Sequence, residues 1–109
     1  MTTVTFHMED DRITGFDSQG HSGYADAGAD IVCAAVTSAI RLTEATVNDV
    51  LGLCAAVKVS EKDTRISFRL PGGLSDADET TCQTILAGLM VYFTELHGEY
   101  PDNIEVLEG

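Results

Sequence analysis

The sequence predicts an α+β fold of two layers, in the order β-β-α-β-β-α-β, with two helices packed on a mixed or antiparallel sheet. Three observations carry this. Short segments alternate apolar and polar residues and are joined in pairs by acidic turns, two longer segments repeat apolar residues every three to four positions, and each of these follows a pair. The 109 residues are 44% hydrophobic and 22% charged, enough for one core and too short for two, so the expectation is a single domain, 1–109.

The elements follow in order. Over residues 2–8, Val4, Phe6 and Met8 alternate with Thr3, Thr5 and His7, the period of a half-buried strand. Glu9, Asp10 and Asp11 turn the chain, and residues 12–18, with Ile13, Gly15 and Phe16, complete a hairpin less regularly. Residues 20–28 hold three glycines in nine positions and read as a loop with backbone freedom. Asp30 then precedes a run in which Ile31, Ala35, Ala39, Leu42 and Val50, flanked by Val32, Val36 and Ile40, recur at helical spacing. This predicts a helix over about 30–50 with Asp30 as its N-cap. Residues 53–60 and 64–70, around the Glu61-Lys62-Asp63 turn, form a second hairpin with Ile66, Phe68 and Leu70 on one face, and Pro71-Gly72-Gly73 ends it. Ser75 and Asp78 have the spacing of a capping pair. Cys82, Ile85, Leu86, Leu89, Phe93 and Leu96 make the stripe of a second helix closing at Gly98, and Ile104 and Val106 mark a last strand.

Charge narrows the function. Eighteen acidic residues against six basic ones leave a net charge of −12, and no Lys or Arg follows Arg69, a balance that repels phosphate backbones and argues against a nucleic-acid partner. A basic partner is attracted instead. Apolar stretches such as residues 31–36 fall far short of the ~20 residues that cross a bilayer, and no basic region leads into an apolar run at the start; the expectation is a cytoplasmic protein with no membrane partner. Cys33, Cys54 and Cys82 are odd in number and widely spaced, and with three scattered histidines they suggest no disulfide framework, no metal site and no cofactor.

One stretch brings a nucleophile, a base and a glycine-rich backbone together: Gly20-His21 and, twelve residues after the histidine, Cys33. With Asp30 as cap, Cys33 falls in the first helical turn, where unpaired N–H groups and the positive end of the helix dipole favour a thiolate and can hold an oxyanion. A histidine folding over that end can take the thiol proton and deliver it to a leaving amine, which is acyl-transfer chemistry. The bland reading is a small core cysteine and a solvated histidine. Cys54 in a strand and Cys82 on a helix face read as buried small hydrophobes, and His7 and His97 call for no functional role.

At these residues the chain resembles a known family. Gly20-His21-Ser22-Gly23-Tyr24-Ala25, then Gly28, then Asp30-Ile31-Val32-Cys33-Ala34-Ala35 looks like the signature of the ribosomal-processing cysteine proteases (Prp), small bacterial enzymes. Length and element order agree throughout, while the specific part is confined to residues 20–38. The resemblance implies a cysteine endopeptidase that removes a short N-terminal extension from a large-subunit ribosomal protein, cutting after an apolar, aromatic-containing segment. It implies Cys33 as nucleophile and His21 as general base and acid. Asp30 matches the family's acidic residue, expected to cap the helix and fix the loop, and Gly20 and Gly23 give the loop its freedom. Thr37 stands where the family commonly has a serine, with Ser38 next. A homodimer and a basic ribosomal protein precursor are the implied partners. The alternative is a non-catalytic acidic module that docks on basic ribosomal proteins.

Overall fold

The alternating residues at the N-terminus form β1, Thr2–Glu9, and the chain returns through Asp10 and Asp11 into β2, Arg12–Gly20. Asp10 takes a left-handed φ of 57°, which aspartate tolerates because its short side chain bonds locally. The structure is a computed structural model that describes the backbone of residues 1–20 and 27–109 and the side chains of residues 1–20 and 31–109. After β2 come α1, Ala27–Glu44, running directly into a π-helical stretch, Ala45–Val50; β3, Ala56–Ser60; β4, Arg65–Arg69; α2, Asp76–Glu99; and β5, Ile104–Glu108.

The sheet order is β3-β4-β2-β1-β5. Every pairing is antiparallel except β1 with β5, which lies parallel because α2 carries the chain back across the sheet to its far edge. The sheet is therefore mixed, which decides between the two expected arrangements. Ser75 caps α2 as its spacing predicts, its hydroxyl accepting from the Asp78 N–H at 3.2 Å.

The core lies between the helices and one face of the sheet. Phe6, Phe16, Phe68 and Phe93 are all essentially inaccessible, with Phe16 stacked on Phe68 at 5.1 Å and Phe6 tilted against Phe16 and Phe93. Each such ring contributes about 1.5–3 kcal/mol of burial. From α2 come Cys82, Leu86, Leu89, Phe93 and Leu96, as the stripe predicts.

Helix α1 departs from expectation in two ways. It begins at Ala27, so Asp30 stands inside the first turn and is not the N-cap, and Cys33 is the seventh residue, in the second turn. Its buried face is Val32, Val36, Ile40 and Thr43, continued by Val47, while Ile31, Leu42 and Val50 of the expected stripe are 51%, 69% and 76% exposed. Both stripes are apolar, so periodicity alone did not choose the face. The second hairpin also starts late, at Ala56: Gly52 and Cys54 adopt φ of 68° and 58°, and these left-handed residues break the extended chain.

Candidate active site

Cys33 projects from α1 over the end of the sheet where β1 starts and β2 stops. It shares a cleft of about 50 Å³ with Thr2, Ser18, Gly20, Val36 and Thr37. Thr37 lies one helical turn beyond Cys33 and so on the same side of α1. The thiol is partly exposed, whereas Cys82 is fully buried, its pKa pushed up first by that burial and then by Glu79 and Asp78. Cys54 is neither buried nor in a strand: it is exposed in the loop before β3, because its left-handed backbone removes it from the ladder.

Gly20 is the last residue of β2, not a free loop residue. It faces Thr2 across the β1–β2 ladder so closely that a Cβ there would lie 2.7 Å from the Thr2 hydroxyl and 2.9 Å from its Cα, and its N–H donates to the Thr64 carbonyl at 3.2 Å. Any side chain would push β1 away from the cleft that Cys33 lines. His21 and Gly23 lie outside the described residues, as does the side chain of Asp30. The structure thus brings Cys33, Gly20 and Thr37 together and adds Thr2 and Ser18. Ser18 carries a readable signal, a hydroxyl at a helix-facing position of β2 where Phe16 sets the apolar phase; Thr2 carries none.

The start of α1 at Ala27 changes the local electrostatics. The N–H groups left unpaired at a helix start belong to its first four residues, here 27–30, and in a regular helix the seventh N–H, that of Cys33, is already engaged. The helix terminus is therefore one to two turns from the sulfur.

A separate polar cluster occupies the opposite face of the sheet. Asp17 receives hydrogen bonds from Ser67 and from His7 Nε2, the latter at 2.6 Å, and Arg65 and Arg69 each lie 3.6 Å from it. Burial pushes the Asp17 pKa up, but the hydrogen bonds from Ser67 and His7 and the charge of Arg69 outweigh it and hold the carboxyl below its ordinary value. This cluster ties β1, β2 and β4 together and lies across the sheet from Cys33.

Residues 1–105 of the 109 match the family described as cysteine protease Prp. The chain belongs to the Prp family. It is a cysteine protease, which displaces the non-catalytic binding module. The Ribosomal processing cysteine protease Prp of Bacillus subtilis (strain 168) is 27% identical over 107 residues, 97% of this chain and 96% of its own. Among solved structures, the essential ribosomal processing protease Prp of S. aureus with a covalently linked product peptide is 25% identical, with a TM-score of 0.77 and full coverage of both chains. The same S. aureus protease in complex with a substrate peptide gives a TM-score of 0.80 at 23% identity, again over both whole chains. Among the described residues, no helix of this Prp-family chain is long and apolar enough to cross a membrane.

Proposed function

We propose that the chain is an endopeptidase in which Cys33 Sγ is the nucleophile and His21 its general base and acid, and that it removes the N-terminal extension of a bacterial large-subunit ribosomal protein. The observation that supports the choice of sulfur is accessibility in context: Cys33 opens into a cleft at the end of the sheet, Cys82 is sealed in the core and Cys54 stands on a surface loop. His21 follows Gly20 directly, and Gly20 lines that cleft, so the chain leaves the site at the residue before the imidazole.

The chemistry is acyl transfer. His21 takes the thiol proton, the thiolate adds to the scissile carbonyl carbon, and collapse of the tetrahedral intermediate breaks the C–N bond as His21 protonates the leaving amine. Water, deprotonated by His21, then hydrolyses the thioester and regenerates the thiol. Asp30, one turn before Cys33, acts on the loop from within the helix, Gly23 gives the loop room to close, and Thr37 flanks the sulfur. Residues 1–109 act as one catalytic domain, in the cytoplasm, as a homodimer and without a cofactor, with a basic precursor as substrate.

Mass spectrometry of the precursor incubated with wild-type protein and with Cys33→Ala tests this. The wild type is expected to release the extension and the variant to release none, at unchanged thermal stability. Cleavage by Cys33→Ala removes the assignment.

A further inference from the structure

The segment that carries His21 departs from a residue held by a turn of the other hairpin. Gly20 borders the Cys33 cleft and directly precedes His21. The β2–β4 ladder ends one step earlier, at Gln19 and Arg65, and one backbone bond continues it: the Gly20 N–H donates to the Thr64 carbonyl at 3.2 Å. Thr64 is exposed and is the last residue of the turn, residues 61–64, that joins β3 to β4.

The backbone of Thr64 is strained. Its φ is 49°, and of the three left-handed non-glycine residues among those described, Asp10, Cys54 and Thr64, it alone is β-branched, the kind of side chain this region suits least. The conformation gives one residue two tasks. In a ladder's hydrogen-bonded pair, the N–H and C=O of a residue both face the same neighbour. At Thr64 they part: the N–H turns back to the Glu61 carbonyl at 3.3 Å and closes the turn, while the C=O goes on to Gly20. The rest of the turn holds this geometry in place, since the Ser60 hydroxyl accepts from the Asp63 N–H at 3.3 Å and donates to the Asp63 carboxylate at 3.2 Å, and the Thr64 hydroxyl donates to the Asp63 carbonyl at 2.7 Å.

We propose that Thr64 is a positioning residue for catalysis: through its carbonyl, the β3–β4 turn fixes the point from which the chain leaves the Cys33 cleft toward His21. Thr2 holds Gly20 from the β1 side and Thr64 from the β4 side, so Gly20 is pinned by both neighbouring strands. The imidazole is one residue further on, so a shift at Gly20 is carried to the base, and a misplacement of about 1 Å can cost on the order of a hundredfold in rate. Thr64 acts only through Gly20. The inference rests on His21 being the base for Cys33.

Steady-state cleavage of a precursor-derived peptide, well below the unfolding midpoint of every variant, tests this. Thr64→Gly and Thr64→Asn accept a left-handed φ and keep the carbonyl in place, so both are expected to retain wild-type kcat and KM. Thr64→Pro sets φ to about −65° and removes the N–H that closes the turn; it is expected to lower kcat at least about tenfold, with KM within about twofold of wild type. A turn that serves stability alone would lower the thermal midpoint of Thr64→Pro and leave its kcat intact, which overturns the proposal. Equal losses of kcat in Thr64→Asn and Thr64→Pro overturn it too. Should Thr64→Pro not fold, an ester in place of the Gln19–Gly20 amide removes the donor without altering a side chain: the same fall in kcat supports the role, and wild-type kcat overturns it. Cleavage by His21→Ala at the wild-type rate would instead remove the base on which the inference rests, so the two failures read differently.

Discussion

At the scale of single residues, Asp17 is the clearest case of a side chain whose role depends on distant neighbours. Ser67 and Arg69, fifty or more positions away, converge on it together with His7 and Arg65. Its folded-state pKa lies below the unfolded one, so its ionised form stabilises the fold above the unfolded value, and that contribution disappears as pH falls through the folded value. Asp17→Asn is therefore expected to cost about 1.5–3 kcal/mol at pH 7, from hydrogen bonds to a charged group, and less at pH 3, below the ordinary carboxylate value. Urea titrations of both proteins at the two pH values check this; equal losses would refute the network. None of it was readable at His7, which the sequence shows only as a polar residue on the solvent side of a strand. His97 is similar: its position in the last turn was plain, but the hydrogen bond from Nδ1 to the Ile104 carbonyl at 2.6 Å, which ties α2 to β5, was not.

Two elements end where a side-chain amide takes the place of a strand. Gln83 of α2 accepts from the Ile13 N–H and donates to the Ile13 carbonyl, both at 2.8 Å, on a part of β2 that β4 does not reach. Asn48, in the π-helical stretch, accepts from the Ala55 N–H at 2.6 Å and donates to its carbonyl at 3.1 Å, fixing the chain as it enters β3. Replacing either amide by alanine leaves backbone groups of a buried residue unpaired, at a cost of about 1–3 kcal/mol. Denaturation midpoints of Asn48→Ala and Gln83→Ala are expected to fall accordingly, with wild-type midpoints counting against the clamps. The order of elements and the cap of α2 were legible because each signal sits within a few residues. The buried face of α1 was not, since Ile31, Leu42 and Val50 are as apolar as Val32, Val36 and Ile40, and neither was its start, which lies at Ala27, three positions before the cap-like Asp30.

Over the whole molecule, the net charge of −12 sets a field that favours approach of a basic precursor. With such a substrate, kcat/KM is expected to fall severalfold as salt rises from low to well above physiological, because screening shortens the reach of exposed charges; a flat profile would exclude steering. The field is uneven, since Lys58, Arg65 and Arg69 gather on the outer sheet face while residues after Arg69 carry no cation. The sequence by itself determined the α+β class, the element order, the acidic surface and, through residues 20–38, the family resemblance, because periodicity, caps and motifs are properties of neighbouring residues. Only the tertiary structure decided that the sheet is mixed, that Thr2, Ser18 and Gly20 close around Cys33, and that Cys54 is exposed. Each of these depends on which strands become neighbours, and that choice is made by contacts between residues far apart in the chain.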